Sequence, residues 1–204
     1  MSQSGVDVRI NFANELQQAS AALQSTPQQL QLAGQRAIRK TMRWLQTRIA
    51  RELSQTLGFA QKTLKPRLVM KTVGKGAEQV TILWLGTAPL LAENVGRPRQ
   101  TKAGVSVGKR RYEGAFVADM YGYDNAVWIR ASRNNGQYDT TSKQRRPNTN
   151  SISASMRGRF PVQHIAVDIE DHAAEVFKRF QARIPDEFRK ILQQELNYAV
   201  NHER

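Results

Sequence analysis

The residues best suited to acid–base chemistry or metal ligation in this 204-residue chain are its three histidines, His164, His172 and His202. His172 follows Asp171, and His164 lies near Asp168. No His-x-x-x-His spacing and no carboxylate cluster accompanies them, so the pattern of a metal site is missing and they read as ordinary surface or half-buried side chains. Ser151, Ser153 and Ser155 sit in a polar stretch without a G-x-S-x-G setting, which leaves a serine nucleophile unsupported. Gly74-Lys75-Gly76 does not belong to a G-x-x-x-x-G-K-[ST] phosphate loop and reads as a hairpin turn. The acidic pairs Glu170-Asp171 and Asp186-Glu187 stand where helices begin, where capping explains them. Cysteine is absent from the sequence, which removes disulfides, thiolate metal sites and a cysteine nucleophile. The expectation is a protein that is not an enzyme, with no catalytic, metal-binding or cofactor-binding residues.

What the sequence does carry is charge. The formal net charge is +14, which points to an anionic partner: nucleic acid, an acidic membrane face or an acidic protein. The cations fall in two central blocks. The first holds Arg36, Arg39, Lys40, Arg43, Arg48 and Arg51, then Lys62, Lys65, Arg67, Lys71 and Lys75. The second holds Arg97, Arg99, Lys102, Lys109, Arg110 and Arg111, and later Lys143, Arg145, Arg146, Arg157 and Arg159. The members of this second block are the candidate contacts to a DNA channel or to a neighbouring subunit. Two readings stand beside each other: phosphate contact, or a solvated face that pairs with acidic helices of another copy. Zinc-finger, RNP and clear helix-turn-helix patterns are missing, so sequence-specific DNA reading is disfavoured. Trp44, Trp84 and Trp128 are potential base-stacking platforms, but each lies in an amphipathic element, and core packing is the simpler reading.

The elements that hold these residues follow from periodicity. VDVRINF alternates Val6, Val8, Ile10 and Phe12 as a strand, and Asn14 to Ser25 reads as a short helix. Thr26-Pro27-Gln28-Gln29 has the form of a capping box with proline in the first turn. A long helix follows, with Leu30, Ala33, Ala37, Ile38, Leu45, Ile49 and Leu53 on one face, cations on the other, and Gly58 as its stop. Arg67 to Leu85 reads as a β-hairpin about GKGA. GRPRQTKAGVSVGKRR reads as a basic loop around a small GVSV strand. YEGAFVADM and NAVWIRAS are two further strands, with Trp84, Phe116 and Trp128 expected between the sheet and the long helix. Arg133 to Met156 reads as a long polar loop. Two helices close the chain, split at Pro185, with apolar sets Ala174, Val176, Phe177, Phe180 and Phe188, Ile191, Leu192, Leu196, Val200. The order predicts an α+β fold: a small antiparallel sheet or meander packed against a long N-terminal helix and C-terminal helices, as a single domain over 1–204 with a mobile loop at about 133–156. No run of 18 apolar residues is present, so no membrane span is expected. The start, MSQSGVDVRINF, lacks a basic region followed by an apolar stretch, so no signal peptide is expected either.

The ordered series GKRRYEGAFV, VWIR and GRFPVQHIAVDI resembles the minor tail protein Z family of long-tailed bacteriophages and prophages. In that family a basic segment leads into Gly-Ala-Phe, then a strand ending in arginine, then an Arg-x-Pro segment before terminal helices. Here those positions are Gly114-Ala115-Phe116, Trp128-Ile129-Arg130 and Arg159-Phe160-Pro161. The upstream order of long helix, KTLKPRL helix and hairpin is also similar, and the resemblance spans roughly Ala33 to Val200. It implies a structural protein of the virion tail, assembled in the host bacterial cytoplasm, that completes the head-proximal end of the tail and helps join tail to head. It also implies a homo-oligomeric ring, a hexamer in related proteins, with tail terminator or tube proteins as partners and non-specific contact with phage DNA. The competing expectation is a non-specific nucleic-acid-binding module that acts off the virion.

Overall fold

The computed structural model describes residues 4–22, 26–74, 79–141 and 162–202. Its architecture is α+β, with several small antiparallel sheets and a long N-terminal helix packed against two C-terminal helices. Strand β1 (Gly5–Asn11) leads into helix α1 (Ala13–Ala22), and helix α2 (Pro27–Leu57) follows. Helix α2 begins on a complete capping box: the Gln29 amide donates to the Thr26 hydroxyl, and the Thr26 amide donates to the Gln29 side-chain oxygen. It ends at Gly58, whose φ of 74° is the left-handed conformation that a side chain would resist. Between these signals Leu45, Ile49 and Leu53 are wholly buried, each contributing about 1.5–3 kcal/mol of apolar burial.

A short helix α3 (Gln61–Leu64) and a 3-10 turn at Lys65–Arg67 bring the chain to strands β2 (Leu68–Val73) and β3 (Val80–Gly86). The first sheet has the order β1-β3-β2, all antiparallel. Thr81, Leu83 and Leu85 face inward while Val80, Ile82 and Trp84 are only half-buried, so strand alternation sorts β3 into a core face and an outer face. Trp84 lies on that outer face, its indole covering Gly5 and Gly86 so closely that a Cβ at Gly5 would fall 2.2 Å from its nitrogen.

The next strands are short: β4 (Leu90–Leu91), then a 3-10 turn at Ala92–Asn94, β5 (Arg99–Gln100), β6 (Gly104–Val107) and β7 (Arg110–Glu113). Strands β8 (Ala115–Met120) and β9 (Tyr123–Arg130) form a hairpin with a two-residue turn at Tyr121-Gly122. A one-turn helix α4 (Ala131–Asn134) follows. After the segment 142–161, β10 (Val162–His164) joins β9, and β11 (Ala166–Val167) joins β4. Helices α5 (Glu170–Gln181) and α6 (Ile184–His202) complete the chain.

The main core joins α2, α5, α6 and the inner face of the first sheet, with Phe12 stacked on Phe188 at 4.0 Å and Trp44 edge-on to Phe180 at 5.9 Å. A second cluster fills the space between the β6–β7 hairpin and the β8–β9 hairpin, and a third, smaller one gathers Ala126, Trp128 and Val162 with Phe116. Val95 packs against both of the first two clusters.

Several expectations need correction. The basic loop with one small strand is a three-stranded sheet, β5-β6-β7. YEGAFVADM is not one strand; Gly114, at φ 72°, divides it between two sheets. Trp84, Phe116 and Trp128 do not fill the contact with the long helix: the first faces outward and the other two belong to the third cluster. On the terminal helices, Ala173 rather than Ala174 is buried, and Val200 is exposed while Glu195 and Ala199 are buried, because the inward stripe of α6 runs through 188, 192, 195, 196 and 199. Of the polar loop, Arg133 and Asn134 belong to helix α4 and Thr140 bridges Ile165, while 142–156 lies outside the described residues.

Candidate assembly and anion-facing surface

The predicted basic residues divide by their place in the β5-β6-β7 sheet. Paired strands put Arg99 opposite Ser106 and Ser106 opposite Arg111, so these three side chains form one row across the sheet. Two strand spacings separate the arginines, about 10 Å. Arg99 and Arg111 are exposed, and Glu113, two residues from Arg111 along the same face, is the acidic residue nearest Arg111 in sequence. Lys109 is exposed at the β6–β7 turn, Lys102 at the β5–β6 turn, and Arg97 just before β5. Thr101 holds the β5–β6 turn, its amide and hydroxyl both donating to the Gly104 carbonyl. Gly104 is needed for space: a Cβ there would fall 2.0 Å from the Tyr112 carbonyl oxygen.

Arg110 does something else. Its cross-strand partner is Val107, on the buried face with Val105 and Tyr112. Its guanidinium donates to the Leu57 carbonyl at 3.1 Å, at the C-terminus of α2, where a cation also complements the helix dipole. It is therefore a strut between the basic sheet and the long helix rather than a member of the outward row. The Tyr112 hydroxyl is buried beside it, and burial raises the phenol pKa, partly opposed by the neighbouring Arg110 guanidinium. Lys143, Arg145, Arg146, Arg157 and Arg159 lie outside the described residues.

The histidines behave differently from one another. His164 is buried, with Nε2 2.7 Å from the Glu93 carboxylate, its ring stacked 4.4 Å from Trp128 and edge-on to Tyr123 at 4.8 Å. The second Glu93 oxygen is buried without a partner. One carboxylate and one imidazole, walled by aromatic rings, can stabilise each other. Among the described residues no group of three His, Cys, Asp or Glu side chains is placed to hold a metal. His172 is exposed on α5. The Glu93–His164 pairing spans 71 residues and had no sequence signal, since it depends on β10 docking beside β9.

The second cationic surface is the outer side of α2. Of its six cations, Lys40 pairs with Glu195; the helix's one acid, Glu52, is taken by Arg179 of α5. Arg39, Arg43, Arg48 and Arg51 are exposed. The sequence marks this face as cationic through the four exposed arginines on the side opposite its apolar stripe.

No family model, curated protein or solved structure matches the chain.

Proposed function

We propose that this chain is a structural minor tail protein of a long-tailed phage or prophage, which completes the head-proximal end of the tail and helps join it to the head. The observation that carries the reading is the form taken by GKRRYEGAFV, the first segment of the series that resembles the minor tail protein Z family. It supplies the turn and second strand of a pinned hairpin: Lys109 and Arg111 are exposed, Arg110 is tied to the end of α2, and Gly114 hands the chain to the next sheet. A hairpin held in this way presents charge at a fixed position without a flexible linker, which suits assembly by surface complementarity. The outward row of Arg99, Ser106 and Arg111 would meet an acidic neighbour or face DNA in the channel, and the acidic first turn of α5 gives an identical subunit a complementary surface. Tail terminator or tube proteins are the other partners this reading names.

The test is compositional. Tails purified from particles of the source phage should contain the chain, and deletion of its gene should leave tails that fail to join heads. Mature tails that lack the protein, or heads that join normally without it, would overturn the proposal.

A further inference from the structure

We infer that the outer face of α2 is a track for the phosphate backbone of duplex nucleic acid. Arg39, Arg43, Thr47 and Arg51 recur every four residues, so they form one continuous ladder along the helix. At 1.5 Å and 100° per residue the row extends about 18 Å along the axis and turns about 120° around it, so its three guanidinium groups follow a rigid winding path. Thr47 directs its hydroxyl to the Arg43 carbonyl, and the Arg39 Nε donates to the Gln35 carbonyl, both within the helix. Among the described residues, Arg39, Arg43 and Arg51 meet no carboxylate. The acid of α2 and the acid that reaches it from α6 are already committed, Glu52 to Arg179 and Glu195 to Lys40.

This placement works against the isolated helix. Arg39–Arg43 is a like-charge pair at four-residue spacing, and Arg48–Arg51 is one at three. A polyanion laid along the helix relieves that repulsion and releases its own counterions. The residue type matters as well: every unpaired cation on the ladder is arginine, whose planar fork suits a phosphate oxygen pair.

The other occupants fit less well. An interfacial membrane helix needs its apolar face free, and here that face is the protein core. Single strands are held by exposed aromatic platforms, whereas Trp44, the aromatic residue of α2, packs edge-on against Phe180. An acidic protein remains a competitor that experiment can separate. The inference does not depend on the tail reading, because it concerns the isolated chain.

The experiment is fluorescence anisotropy of the full chain with a labelled duplex of about 25 base pairs, titrated between about 50 and 250 mM NaCl. The triple variant Arg39→Gln, Arg43→Gln, Arg51→Gln should weaken binding at least about tenfold at low salt and lower the log–log salt slope by about 3. Glutamine is a good helix former, so the circular dichroism spectrum of the variant should match that of the parent. The matching triple Arg→Lys variant keeps the charge and should retain the slope. A second variant, with Arg97, Arg99, Lys102, Lys109 and Arg111 all changed to Gln, should retain the α2-dependent part. No wild-type binding at the lowest salt, an unchanged slope in the triple Gln variant, or complete loss of binding in the hairpin variant would each overturn the inference. So would tighter binding of polyglutamate than of duplex at equal salt.

Discussion

Arg110 and Arg111 are neighbours of the same type, and the period of a β-strand sends them to opposite sides. Arg110 reaches an α2 carbonyl that the helix itself leaves without a donor, so its removal costs a charge-assisted hydrogen bond and the packing of its stem. Arg110→Ala should lower stability by about 1–3 kcal/mol, read as a fall in Tm, while Arg111→Ala should stay within about 0.5 kcal/mol of the parent. Equal effects of the two would refute the strut. Tyr112 gives a pH test at the same place. Its folded pKa lies above the ordinary 10.0, so the folded state holds the proton longer than the unfolded chain does. That contribution is complete below pH 10 and is lost as pH rises through the folded value. Tyr112→Phe removes the titrating group, so it should flatten the alkaline decline in denaturation midpoints. In the sequence the three cations 109–111 form one block, and only the pairing register, set by residues 104–107, divides them.

At the scale of elements, what was readable depended on how local its cause is. The bounds of α2 were legible because both are written within four residues: a capping box at Thr26 to Gln29 and a left-handed glycine at 58. The start can be weighed directly, since Thr26→Ala removes one half of the reciprocal cap and should cost about 1 kcal/mol, measurable by chemical denaturation with an unchanged slope. A null result would mean that tertiary packing alone fixes the start. The β2–β3 hairpin was legible for the same reason, but the insertion of β3 between β1 and β2 was not, because β1 is some seventy residues distant and its alternation fits many partners. The partition of 97–130 into two sheets was likewise hidden: it turns on Gly114, whose backbone angle is invisible in a run of strand-forming residues.

For the whole molecule, the polarity of charge was legible and the surfaces that carry it were only half so. Composition showed the cations clustered in the middle of the chain. Folding then spends them in three ways: Arg110 inward, Arg99 and Arg111 outward on the small sheet, and the arginine ladder along α2. Arg110 also ties the second and third of these surfaces together, because its hydrogen bond to the Leu57 carbonyl joins the hairpin to the helix end. Contact at the hairpin is thus mechanically linked to the helix, with Val95 packed at the junction of the two cores.

The three tryptophans have one more use. Trp44 reports on the helical core, Trp84 on the open side of the first sheet, and Trp128 on the aromatic nest around His164. One indole per region makes the protein its own set of optical probes. Variants that keep a single tryptophan each can therefore follow, by intrinsic fluorescence, whether the regions melt together or in sequence when the chain meets denaturant, salt or a partner.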